Sequence, residues 1–95
     1  MNDTADSRSR LVEIVNQRGL HARASAKFVK LTETFDAHVN VSNGSESVGG
    51  TSIMGLMMLA ASKGCSIRIS ASGPQANEAL DSLEALVSDR FGEGE

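Results

Sequence analysis

The spacing of apolar residues switches period within one short stretch of this chain, and that switch constrains the fold more than any other feature. From residue 22, Ala24, Phe28, Leu31 and Phe35 recur at intervals of four, three and four, which lines up one stripe of a helix. Immediately afterwards Ala37, Val39 and Val41 alternate with His38, Asn40 and Ser42. Alternation of this kind is the pattern of a strand with one buried and one wet face. A chain that moves directly between these two periods folds into a mixed helix and sheet structure.

The rest of the sequence extends the pattern. Residues 11–15 form a short stretch rich in β-branched residues and read as a strand. Asn43-Gly44 is a hairpin signal, followed by a short strand over 46–48. Thr51 or Ser52 is placed to cap a helix over 53–60, which Lys63-Gly64 closes. A further strand spans 65–71, with Cys65, Ile67, Ile69 and Ala71 inward, so Cys65 is expected to be an inert core thiol. Ser72 and Gln75 have capping-box spacing. The last helix aligns Ala76, Ala79, Leu80, Leu83, Leu86 and Val87. The order is therefore β-α-β-β-α-β-α, an α+β, two-layer arrangement in which four strands form an antiparallel sheet and three helices cover one face.

Length and composition narrow the function. Ninety-five residues are enough for one domain. The polar residues 1–9 are expected to form a disordered tail, 10–91 the domain, and 92–95 a frayed acidic end. Aromatic residues make up 3% and the net charge is −3, which argues against a nucleic-acid binder. A single cysteine cannot close an internal disulfide. The longest nearly apolar run covers 53–61 and falls short of the ~20 residues of a membrane span. Absence of an apolar signal segment points to a cytoplasmic protein. His21, His38 and Cys65 lack metal-ligand spacing, so no metal and no cofactor are expected. The spacing from Gly44 to Thr51 resembles a phosphate-binding loop, but Gly50 stands where the lysine is needed.

Two segments carry candidate chemistry. His21 in Gly19-Leu20-His21-Ala22-Arg23 sits where a loop becomes a helix. Unpaired N–H groups and partial positive charge at that end favour a neutral, nucleophilic imidazole. They would also stabilise a phosphoryl group accepted by it, with Arg23 alongside. The same residues also fit a histidine that only caps the helix or lies on the surface. In Ser52-Ile53-Met54-Gly55-Leu56-Met57-Met58-Leu59, apolar residues surround a short helix on all sides. Such a helix can bury only one side, which leaves a methionine-rich surface that either serves docking or is covered by a loop or a dimer partner.

These two segments resemble a known family. The run from Asn16 to Ser25, Asn-Gln-Arg-Gly-Leu-His-Ala-Arg-Ala-Ser, is similar to the active-site signature of the HPr family, the histidine-containing phosphocarriers of the bacterial phosphoenolpyruvate-dependent phosphotransferase system. Ser52 to Met57 resembles the family's second signature, in the expected order. The resemblance spans about residues 10 to 91 and implies an open-faced β-sandwich. It implies that His21 receives a phosphoryl group on Nδ1 from phospho-enzyme I and passes it to an enzyme II A-type domain, with Arg23 neutralising its charge. It makes Ile53, Met54, Met57 and Met58, together with Ala24 and Lys27, the partner-binding surface. Ser52 matches a serine that a regulatory kinase phosphorylates in some members, and a phosphate there would oppose docking. Ala24 and Thr51 depart from the Pro and Lys found at these positions in many members. The implied protein is a monomeric, stoichiometric relay, not a turnover enzyme, in a sugar-uptake or a regulatory branch. The alternative is a regulatory interaction module whose partner choice is switched by phosphorylation of His21 or Ser52.

Net charge hides an uneven distribution. Arg18, Arg23, Lys27 and Lys30 lie in a stretch with no acid, whereas Glu78, Asp81, Glu84, Asp89, Glu93 and Glu95 crowd the C-terminal end. A basic face around His21 suits a phosphoryl group and an acidic partner surface.

Overall fold

The computed structural model describes residues 8–59 and 61–93. Its elements are β1 (Arg8–Glu13), α1 (Ala22–Thr32), β2 (His38–Ser42), β3 (Ser47–Gly49), α2 (Ile53–Met58), β4 (Ser66–Ser72) and α3 (Ala76–Ser88), with a closing 3-10 turn over Arg90–Gly92. The expected element order is observed. Of the tail expected over 1–9, residues 1–7 lie outside the described residues, while Arg8 and Ser9 already pair with Ala71 and Ser70.

The four strands form one antiparallel sheet in the order β1-β4-β2-β3. The last strand in sequence therefore lies between the first two. α1 and α2 each cross between strands that point the same way with one strand between them, so the chain makes two interleaved split β-α-β units, and α3 follows the last strand. Period-two alternation fixes the faces. Val12, Val39, Val41, Ile67, Ile69 and Ala71 turn inward and are buried, while Leu11, Glu13, His38, Ser66 and Arg68 stay exposed on the other side.

The inward face meets Ala24, Phe28 and Val29 of α1, Leu56 of α2, and Ala79, Leu80, Leu83 and Val87 of α3. Leu31 and Phe35, expected on the same stripe as Phe28, pack only at its margin. Ser25 and Thr32 take buried positions on α1 without leaving hydroxyls unmet, since they donate to Leu20 O at 3.2 Å and Phe28 O at 2.8 Å. Arg10 of β1 reaches Asp81 at 2.5 Å and Glu84 at 2.9 Å on α3. At this exposure solvent screens such pairs, and they add little to stability.

Local details differ from the sequence expectations in three places. Ser72 ends β4 instead of capping α3. Gln75 occupies the cap position and gives no side-chain cap; its Oε1 accepts from Asp36 N at 2.7 Å, tying the helix start to the loop before β2. Gly64 does not close α2, which ends at Met58 with Leu59 as its C-cap. Ala60, the expected last residue of that helix, lies outside the described residues. Gly64 instead takes φ 92 in the turn before β4. That turn interrupts the alternation, so Cys65 is exposed and not an inward core thiol. Hydrogen bonding from Ser62 holds its thiol pKa below the ordinary value.

Gly19 is the glycine on which the loop before α1 depends. Its φ is +64, and a Cβ there would lie 2.3 Å from Ala61 O and 2.8 Å from Ser62 Cα. The strain and the backbone overlap together predict that Gly19→Ala loses more than about 2 kcal/mol, to be read from a urea unfolding midpoint.

Candidate functional site

His21 is the N-cap residue of α1, with φ −75 and ψ −179. Its carbonyl accepts the first helical bond, from Ser25 N at 2.9 Å. Its side chain makes no capping bond, so the histidine that merely caps the helix is not what the chain builds. The ring is partly exposed, with 23% of its side-chain surface accessible. The first turn of α1 contains no acidic residue, leaving the partial positive charge of the helix end uncompensated on that turn.

The loop that delivers His21 is held against the segment after α2. Leu20 N donates to Ala61 O at 2.9 Å, and Leu20 and Ala61 are both buried. α1 and α2 also pack on one another. The two sequence segments singled out above are thereby brought to adjoining parts of one surface. On α2, Leu56 alone is buried, while Ile53 and Met57 are each 41% exposed, Met54 71% and Met58 70%. The three methionines do lie outside. Ser52 is the cap of this helix, its Oγ accepting from Gly55 N at 2.9 Å.

Not every expected residue keeps its place. Ala24 is fully buried on the core side of α1, so it cannot contribute to a docking surface. The helical period carries it under Arg23, against the sheet. Arg23 itself is exposed on the first turn and, among the described residues, forms no ion pair. Lys27 is exposed, but its Nζ donates to Phe91 O at 2.6 Å, so its charge is directed at the C-terminal turn.

The C-terminal turn supplies what sequence reasoning missed. Fraying was expected from residue 92, yet Arg90 and Phe91 adopt φ of 56 and 55 and fold the chain back. Each of these two left-handed residues costs of order 1–3 kcal/mol, and the complete burial of Phe91 offsets part of that cost. The turn is further held by Gly92 N to Asp89 O at 3.0 Å and Glu93 N to Arg90 O at 2.9 Å. It places the Glu93 carboxylate beside the His21 ring, Oε2 against Nε2. The other oxygen, Oε1, accepts from Asn16 Nδ2 at 3.1 Å, and the same amide donates to Gly19 O at 2.9 Å. Residues 94 and 95 lie outside the described residues. The one sequence signal for this contact was the lone phenylalanine among the charged residues of 89–95.

With this geometry, likeness to known proteins is decisive. The family model described as PTS HPr component phosphorylation site matches residues 8–89. The chain belongs to the HPr family of phosphotransferase-system phosphocarriers. Among HPr relatives, the phosphocarrier protein HPr of Cupriavidus necator is 49% identical over 82 residues, 86% of this chain and 92% of that protein. The HPr of Pseudomonas aeruginosa is 47% identical over 85 residues, covering 88% and 94%. The crystal structure of an HPr from Thermoanaerobacter tengcongensis superposes with a TM-score of 0.87 at 36% identity, covering 93% of this chain and 99% of that one.

The Ser52 cap is a part-buried hydrogen bond at the start of α2. Ser52→Ala is expected to lose about 0.5–2 kcal/mol of stability, measured by chemical denaturation.

Proposed function

We propose that this HPr-family chain carries a phosphoryl group on His21, accepting it from phospho-enzyme I and passing it to an enzyme II A-type domain. The observation that carries the reading is an N-cap histidine whose ring is partly exposed and not spent on capping, at the start of a helix whose own first turn holds no acidic residue. Backbone N–H groups at such a terminus stabilise added negative charge, and exposed Arg23 supplies a full positive charge two residues away. The protein then acts as a stoichiometric relay in the cytoplasm, as a monomer, feeding either sugar uptake or a regulatory branch. Among the described residues no helix is long and apolar enough to cross a membrane, which is compatible with that role.

Docking falls to Ile53, Met54, Met57 and Met58. Flexible, polarizable methionines suit a surface that meets more than one partner. Ser52 lies at the edge of this surface, where a kinase-added phosphate would bring about −1.5 to −2 charges and weaken apolar docking. The exposure of the methionines also favours the regulatory reading, in which phosphorylation of His21 or Ser52 sets which partner is bound. The two roles are compatible in one molecule.

Incubated with enzyme I and phosphoenolpyruvate, the protein is expected to gain one acid-labile phosphoryl group by intact mass, and His21→Ala to gain none. A gain that persists in that variant would place the acceptor elsewhere. Arg23→Glu is expected to slow transfer both to and from the protein by ~10-fold or more, since reversal of one charge-assisted contact is worth about 1.5–3 kcal/mol. An unchanged rate in rapid-quench measurements would remove Arg23 from the mechanism.

A further inference from the structure

One carboxylate meets the His21 ring without any part in the transfer described above. Glu93 Oε2 contacts His21 Nε2, and Oε1 is held by Asn16. An ionised carboxylate only accepts hydrogen bonds, and a neutral imidazole has one N–H and one lone pair. The ring nitrogen facing Glu93 must then be the one that carries hydrogen, which leaves the lone pair on Nδ1. We propose that Glu93 is a positioning residue for His21, fixing the ring orientation and the Nε2–H tautomer so that Nδ1 is presented to the incoming phosphorus. This role rests on His21 being the phosphoryl acceptor.

The carboxylate is built into place. Phe91 is buried in the core and Lys27 grips its carbonyl at 2.6 Å, so the turn two residues before Glu93 is anchored from two sides. Asn16 is completely buried. Its amide donates to both Gly19 O and Glu93 Oε1, while its own Oδ1 has no hydrogen-bond partner. A buried acceptor left unmet is unfavourable, and the side chain nevertheless keeps its donor on Glu93. Asn16 and Glu93 thus form a chain of orientation, amide to carboxylate to imidazole, of the kind that aligns a histidine from the edge opposite its reactive nitrogen.

The transfer balances without moving a proton. The Nδ1 lone pair forms the bond to phosphorus, and the donor's bond to phosphorus breaks with its electron pair leaving on the donor. Nε2 keeps its hydrogen, so the ring becomes cationic, and Glu93 offsets that charge from the far edge. In the onward step the acceptor's lone pair bonds phosphorus. The Nδ1–phosphorus bond breaks, the pair returns to Nδ1, and the same neutral tautomer is restored.

The test combines ring spectroscopy with transfer kinetics on the full chain. Histidine labelled with 15N is followed by long-range proton–nitrogen correlation near neutral pH in wild type, Glu93→Ala and Glu93→Gln, with thermal midpoints recorded for each. In wild type the hydrogen is expected on Nε2 with a slowly exchanging resonance. In Glu93→Ala that resonance broadens into solvent exchange, the tautomers mix, and the phosphoryl transfer rate from enzyme I falls ~10-fold. Glu93→Gln, whose amide oxygen still accepts, is expected to restore the protected Nε2–H and recover most of the rate, and it carries the test if Glu93→Ala loosens the turn. Hydrogen on Nδ1 in wild type, or a ring spectrum and transfer rate unchanged in folded Glu93→Ala, would overturn the role of Glu93. Wild type that accepts no phosphoryl group would instead overturn the phosphocarrier reading, with the ring spectra still judging the contact itself.

Discussion

The sheet depends on its last strand arriving between its first two. β1 pairs only with β4, and β2 reaches β1 only through β4. Ile67, Ile69 and Ala71 are buried in the middle of this arrangement, flanked by Val12 on one side and by Val39 and Val41 on the other. Sequence-distant pairing of this kind must overcome loop-closure entropy before it contributes. Burial of an aliphatic layer under three helices supplies the driving force, as expected for a core with very few rings.

That same insertion organises the site. With β4 in the centre, the segment between α2 and β4 lies against the loop before α1, where Gly19 permits close backbone contact and Leu20 bonds Ala61. Two segments about thirty residues apart in sequence thereby share a surface: a histidine at a helix start and a short helix with one buried face. The exposed methionines are a geometric consequence, because six helical residues cannot turn Ile53, Met54, Met57 and Met58 all toward a core that Leu56 already reaches. The charge distribution follows the same logic. The basic residues of α1 are exposed around the histidine, while part of the acidic C-terminal end is spent internally, Asp81 and Glu84 on Arg10 and Glu93 on His21.

Much of this was legible because periodicity is local. The helix stripe through Ala24 and Phe28, the alternation of Val39 with Val41, and the alternation of Ile67 with Ile69 each depend on a few neighbouring residues, and all are found as expected. Errors fell where a distant contact, a turn or the packing of a helix overrode the local pattern. Ser72 and Gln75 had capping-box spacing, but Gln75 bonds Asp36 from another loop. Cys65 fitted the inward phase of a strand, but a turn with Gly64 at positive φ broke that phase. Ala24 was put on the docking surface by the family resemblance, but its place on the apolar stripe beside Phe28 carries it into the core.

By itself the sequence determined the element order, the two-layer class and the two segments that carry chemistry, because apolar period, turn residues and caps act over a few residues. Only the tertiary structure decided the strand order, the approach of the loop before α1 to the end of α2, and the return of the C-terminal turn to the histidine. No local pattern specifies that Arg90 and Phe91 take left-handed backbone angles. At these angles Phe91 is completely buried in a core shared with the sheet and the three helices, and the same turn carries the carboxylate of Glu93 to His21.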